Sequence, residues 1–246
     1  MREPRIYTDQ TLQLHKIVIL ELNTAHYLHT VLRLKSGAGV RLFNGQPQEY
    51  SGEIIHVHRQ QVQVKLHNTS YLEPEPALKL HLILGLSKGE RMDVALQKAT
   101  ELGVTHISPL LTERSVIKIE ATRRDKRNLH WYQTIISACE QSGRCCIPKL
   151  DLPQSLITCL ESIHSDQRLV LHPLGSNTLN TITPPIREIA LLIGPEGGLT
   201  DLELQQAKSY DFTALRLGPR ILRTETAPLA ALAAIQTLWG DFCMRI

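Results

Sequence analysis

Two glycine-proline segments carry the residue types that can do chemistry. The first is Ile193-Gly194-Pro195-Glu196-Gly197-Gly198-Leu199-Thr200, and the second is Leu217-Gly218-Pro219-Arg220-Ile221-Leu222-Arg223-Thr224-Glu225-Thr226-Ala227. Glycine lets backbone approach a ligand closely, and proline stiffens the turn. The spacing is neither GxGxxG nor a GxxxxGK-Ser/Thr loop, which argues against a dinucleotide or triphosphate cradle. In the second segment Arg220, Arg223 and Glu225 crowd beside Gly218, bringing cations and a carboxylate to one loop. Two such loops can wall one pocket for a compact organic cofactor. Each by itself also fits a tight strand-to-helix turn with a cap and a surface ion pair.

The elements that must position these loops alternate. Leu78–Leu86 reads as a strand and Glu90–Leu102 as a helix, with Met92, Ala95, Leu96, Ala99 and Leu102 on one stripe and Gly103 as its terminator. Strands follow at Val104–Leu110, Leu169–Leu171, Ile189–Ile193 and Thr213–Leu217. Helices are expected at about Asp125–Gln141, at Thr200–Ser209 and at Ala227–Trp239. Thr200 with Glu203 three residues later forms a capping box, and Thr224 or Thr226 can cap the last helix. This alternation predicts an α/β domain with a mainly parallel sheet, and both loops follow strands, where such sheets place ligands. Residues 1–67 are different. Short, partly alternating strands at Val40–Leu42, Glu53–Val57 and Val62–Leu66 are punctuated by Gly37, Gly39, Gly45 and Gly52, with a helical stretch at Ala25–Leu34. A small barrel fits that pattern. Asn68–Pro76 has linker composition, so the domain boundary is drawn as 1–70 and 71–246.

The totals fit a soluble chain of 246 residues with a real core, 42% hydrophobic and 21% charged. A net charge of +3 does not by itself suggest nucleic acid, but Arg114, Lys118, Arg123, Arg124, Lys126 and Arg127 make 113–127 locally basic against Glu113, Glu120 and Asp125. The cysteines, Cys139, Cys145, Cys146, Cys159 and Cys243, are odd in number and include no CxxC pair, which points to reduced thiols and no zinc site. No apolar run is long enough to span a membrane, and the first residues open no signal-peptide core; a cytoplasmic protein is expected.

The two C-terminal segments together resemble the RsmE family of SPOUT-class methyltransferases. Further matches are Lys88–Asp93 with Lys98–Gly103, Thr112–Ser115, Glu140–Arg144 and Leu171-His172-Pro173. At the N-terminus, Arg5-Ile6-Tyr7 and His29–Gly37 resemble the family's PUA-like RNA-binding module, although Asn44–Gln48 lacks the second glycine of that turn. The resemblance spans nearly the whole chain, and its C-terminal motifs are the specific ones. It implies an α/β fold: a PUA-like β-barrel domain followed by a SPOUT domain with a C-terminal trefoil knot and a mainly parallel sheet. It implies a homodimer that uses S-adenosyl-L-methionine to methylate N3 of a uridine in 16S rRNA, free or in the small ribosomal subunit, without a metal.

Carried over by motif, the cofactor walls are Leu171, His172, Pro173, Gly194, Glu196, Gly197, Gly198, Leu217, Gly218, Ile221 and Leu222. Uridine N3 bears a proton that must leave, so a base or a charge-stabilising cation is needed. Arg223 is the candidate for stabilising the uracil anion, and Glu225 is a candidate base. RNA phosphates are assigned to Arg5, Arg33, Lys35, Lys88, Arg91, Arg114 and Arg144. The remaining readings are an RNA-binding assembly factor without activity, a nucleotide-dependent oxidoreductase, and a related SPOUT enzyme acting on ribose or transfer RNA.

Overall fold

The structure is a computed structural model that describes residues 3–74, 76–115 and 121–242. Lys118, Glu120, Cys243 and the side chain of Arg123 lie outside that description. The chain divides into two compact units, Met1–Glu75 with Cys139–Ile147, and Pro76–Ala138 with Pro148–Ile246. Membership of 139–147 in the first unit is invisible in chain order, because spatial proximity and not sequence distance defines a unit.

In the first unit, strands β1 (Arg5–Tyr7), β2 (Ile17–Glu21), β3 (Gly39–Phe43), β4 (Gln48–Val57) and β5 (Gln61–Leu72) form one sheet in the order β1-β3-β4-β5-β2. The path ends at β1 and β2, so the small barrel expected here is a five-stranded half-barrel; bulges in the β4–β5 ladder bend it. Alternation sets its core: Val18 and Leu20 in β2 and Val62, Val64 and Leu66 in β5 are buried, their strand neighbours more exposed. The expected helix starts earlier than its pattern, as α1 (Leu22–His26), and closes in a π-helical turn at Tyr27–Val31.

The linker expectation fails in a specific way. Asn68–Leu72 continue β5, with Asn68 opposite Ser51 and Leu72 opposite Gln48. Pairing overrides the polar composition. Glu73 is also structural, since its carboxylate accepts from the backbone N–H of Cys145 and from that of Cys146 at 2.7 Å.

Arg5 requires the firmest correction. It is 8% exposed, ion-pairs with buried Glu49 and lies 4.7 Å over the Phe43 ring. Its Nη1 donates to the Cys139 carbonyl at 2.6 Å and its Nη2 to that of Arg144 at 3.1 Å. Five donors in a planar fork suit it to hold several carbonyls at once. A guanidinium so enclosed does not reach an RNA phosphate.

In the second unit the elements run β6 (Lys79–Gly85), α2 (Glu90–Glu101), β7 (His106–Leu111), α3 (Ala121–Ser142, whose residues from Cys139 on count with the first unit), β8 (Lys149–Leu150), β9 (Gln154–Ser155), α4 (Leu156–Glu161), β10 (Gln167–Leu171), β11 (Glu188–Ile193), α5 (Asp201–Ser209), β12 (Thr213–Leu215) and α6 (Thr226–Trp239). Among the described residues every ladder of this sheet is parallel, in the order β12-β10-β11-β6-β7-β8, with β9 also on β7. Consecutive Leu82, Ile83 and Leu84 are all buried, so both faces are covered, as parallel sheets require. On one face Ile83, Val170 and Leu192 pack with Leu156 and Leu160 of α4 and Ala207 of α5. Burying each of the leucine, isoleucine and valine side chains contributes about 1.5–3 kcal/mol.

Local signals hold up in this unit. Thr200 Oγ1 accepts from Glu203 N–H at 3.2 Å and Glu203 Oε2 accepts from Thr200 N–H at 2.7 Å, which completes the capping box. Gly103 ends α2 at φ +86°. The start of α6 differs from expectation. Neither Thr224 nor Thr226 caps it; the Arg223 carbonyl accepts from Thr226 N–H at 2.9 Å and Ala227 N–H at 2.8 Å.

Candidate active site

Strands β10, β11 and β12 are neighbours or near neighbours in the sheet, and their carboxyl ends open onto one cavity of about 610 Å³. That size suits a small organic ligand. Leu171 ends β10, and His172 and Pro173 follow it; Gly194, Glu196, Gly197 and Gly198 follow β11; Leu217, Gly218, Ile221 and Leu222 follow β12, and all of them line the cavity. Arg223, Glu225, Arg91 and Arg114 line the same cavity. Chain crossing makes this possible: β11 and β12 are consecutive in sequence but β10 lies between them, so their loops flank it.

Close approach shapes the first loop. A Cβ at Gly85, the last residue of β6, would stand 2.5 Å from Pro195 N, so Gly194-Pro195 rests directly on the strand end. The second loop turns at Gly218, whose φ of +96° is a conformation that L side chains rarely adopt. His172 helps form the β10 turn: its N–H donates to the Leu215 carbonyl at 3.0 Å, and its Nδ1 accepts from Leu174 N–H at 3.3 Å, which leaves the ring proton on Nε2.

Two carboxylates face the cations. Glu196 Oε1 accepts from Lys88 N–H at 3.0 Å and from Arg91 Nη1 at 2.9 Å. Burial acts to raise its carboxyl, but its own backbone N–H, that of Lys88 and the Arg91 guanidinium outweigh this and hold it below the usual carboxylate range. Glu225 Oε2 is buried without a hydrogen bond among the described residues, 3.9 Å from Arg91 Nε. Arg114 donates from Nη1 to the carbonyls of Gly197 at 3.1 Å and Leu199 at 3.4 Å.

Lys88 is exposed and meets the site through its backbone. Arg33 and Lys35 are exposed on the first unit, whereas Arg144 stands 3.7 Å from Glu73 within that unit and does not line the cavity. Sequence reasoning passed over Ile193, Pro195, Leu199, Leu215, Arg216, Arg220, Thr224 and Ala227 as lining residues. Most adjoin or fall within the motifs, so contiguity was the available signal.

Elsewhere, His81, His106 and Asp151 are a group of possible metal ligands near the amino-terminal ends of β6 and β7. The two rings stack at 3.8 Å and 10°, so one ion cannot lie in both ring planes. The ligand atoms are already engaged, His106 Nε2 with Asp151 at 2.7 Å and His81 Nε2 with Ser108 at 2.8 Å. A hydrogen-bonded cluster accounts for the group.

A parallel sheet with a glycine-walled cavity at its carboxyl edge and a separate small β unit defines a class that known proteins share. Residues 73–236 match the RNA methyltransferase domain family and residues 21–66 the RNA methyltransferase PUA domain family. The Ribosomal RNA small subunit methyltransferase E of Buchnera aphidicola is 34% identical over 241 residues, covering 98% of each chain. Two solved structures are similar over 98% of this chain and 100% of theirs: a Legionella pneumophila methyltransferase in complex with the cofactor SAM (39% identity, TM-score 0.94), and a Neisseria gonorrhoeae Ribosomal RNA small subunit methyltransferase E bound to S-adenosyl methionine (37%, 0.91). The chain belongs to the ribosomal RNA small subunit methyltransferase E family.

Proposed function

We propose that the protein transfers a methyl group from S-adenosylmethionine to N3 of a uridine in 16S rRNA, free or within the small ribosomal subunit, and that it does so in the cytoplasm as a homodimer. The observation that carries this reading is the convergence of three strand-end segments, with Arg223 and Glu225, on one cavity. The residues present fit the cofactor. Leu171, Leu217, Ile221 and Leu222 offer apolar cover, the glycine loops offer backbone groups, and the buried, unbonded Glu225 oxygen suits a cationic ligand or an acidic N–H.

When bound, S-adenosylmethionine supplies an electrophilic methyl. The protein's work is to align the nucleophile, manage one proton and stabilise charge. Arg223 is exposed at the cavity, its side chain without a hydrogen bond or ion pair among the described residues. It is placed to stabilise negative charge on a uracil carbonyl as the N3 proton leaves. Glu225 Oε2, lacking a hydrogen bond among the described residues, is placed to accept that proton. Exposed Arg33 and Lys35 on the PUA unit suit phosphates.

The homodimer is supported by a groove of about 600 Å³ along α6, where Ala230, Ala233, Ala234 and Thr237 make a small-residue face beside Leu179, Leu217 and Leu238. Small residues at this spacing allow a second helix to approach closely. The trefoil knot belongs to the same reading, supported by the crossover that carries the chain from β11 past β10 to β12.

The test is Arg223→Ala assayed on small ribosomal subunits, with N3-methyluridine mapped in the rRNA and cofactor binding followed by calorimetry. Transfer should fall by about 10²–10³, the usual loss for one charge-stabilising donor, with cofactor affinity unchanged. Near-wild-type transfer would remove Arg223 from the mechanism, and absence of N3-methyluridine with the wild-type protein would remove the function.

A further inference from the structure

We propose that Arg216 and Arg220 are the phosphate-binding rim of this site, and that Arg91 and Arg114 brace the cofactor loop instead of meeting RNA. The proposal rests on the methyltransferase reading and adds residues that the family motifs did not single out for RNA.

Arg91, Arg114, Arg216, Arg220 and Arg223 all line the cavity, but they are not equivalent. Arg91 holds Glu196 at 2.9 Å and faces Glu225 at 3.9 Å, so it joins the first turn of α2 to both motif loops. Glu196 in turn sits at the start of α2, where the N-cap Gly89 has no side chain to offer and a carboxylate meets the positive end of the helix. Arg114 donates to two carbonyls of the Gly194 loop, and a Cβ at Gly197 would stand 2.9 Å from Arg114 Cβ. Taking a phosphate would break these pairings.

Arg216 and Arg220 are exposed, and neither guanidinium has a hydrogen bond or ion pair among the described residues; Arg216 lines both this cavity and the groove along α6, whereas Arg220 lines this cavity. They stand on either side of Gly218, whose φ of +96° turns the chain at the cavity rim. S-adenosylmethionine brings one carboxylate, which a single guanidinium can match. Unpaired cations beyond that need fit a polyanion, and arginine's planar fork matches phosphate oxygens in pairs.

The experiment uses the full chain, with purified small ribosomal subunits and 16S rRNA as probes. Binding is measured over a range of salt for wild type, Arg216→Ala, Arg220→Ala and Arg114→Ala. Removing one phosphate-binding cation should make the slope of log K against log salt shallower by about 0.7–0.9. That change is expected for Arg216→Ala and Arg220→Ala, with cofactor calorimetry unchanged. Arg114→Ala should keep the wild-type slope and bind cofactor more weakly. Unchanged slopes in the first two variants overturn the proposal, and so does a loss of cofactor affinity in Arg220→Ala, which would make it the carboxylate's partner. Sedimentation provides the last check, because a changed oligomeric state in Arg216→Ala would assign that residue to the subunit interface. Wild-type protein without salt-dependent binding to either probe would count against the methyltransferase reading itself, a distinct result.

Discussion

Gly85→Ala isolates the packing of the first motif loop from its chemistry. A Cβ there would stand 2.5 Å from Pro195 N, 2.6 Å from Pro195 Cδ and 2.9 Å from the Gly194 carbonyl carbon. Overpacking of this kind costs about 1–3 kcal/mol. The upper end applies, because neither side can yield cheaply. Gly85 belongs to a strand paired on both sides, with β11 and β7, and its obstacle is a proline ring and backbone with no rotamer to change. If the loop holds its place, about 3 kcal/mol of unfolding stability in urea disappears. If the loop shifts and cofactor binding must restore it, the same energy appears as about a 100-fold weaker Kd for S-adenosylmethionine by calorimetry. Gly218→Ala is the contrast, since a Cβ there meets nothing within 4 Å and the penalty is the left-handed backbone, about 1–2 kcal/mol. Gly85→Ala with both stability and cofactor affinity within about 0.5 kcal/mol of wild type would refute the close-packing argument.

Acid should destabilise the second unit through His81. Burial, helped by the nearby His106 ring and opposed by Asp151, pushes its pKa down from 6.5 to about 3. A histidine held neutral on folding contributes stability fully present above pH 6.5 and lost progressively as pH falls towards 3. The urea midpoint should therefore drop between about pH 7.5 and 5, by up to about 2 kcal/mol of stability. His81→Gln should flatten that dependence, and an equal midpoint at the two pH values argues against a neutral buried ring. Arg5→Ala leaves Glu49 buried without its main partner and should cost about 3–5 kcal/mol. The salt slope of RNA binding under native conditions should stay at its wild-type value, whereas a phosphate role would lower the slope and leave stability alone.

Some of this was legible because it is local. The Thr200–Glu203 capping box, the Gly103 stop and the strand-to-helix turns depend on residues within a few positions of one another, and propensity and spacing report such interactions directly. The motif loops were legible as a set, and the parallel sheet brought their strand ends to a common edge. Polar composition misled at Asn68–Leu72, where a ladder with β4 supplies the backbone partners that a linker would have sought in water. Basic composition misled at Arg5, because charge type says nothing of burial.

The sequence by itself determined which groups the site contains: two glycine-proline turns, a set of arginines, and carboxylates at 196 and 225. Tertiary structure decided what each is free to do. Glu196 and Arg91 are distant in the chain yet lie 2.9 Å apart, while Arg216 and Arg220 stand on the same cavity unpaired among the described residues. An ionic side chain's role depends on which partner has already claimed it, and only the folded chain, which brings distant residues within hydrogen-bond reach, sets that.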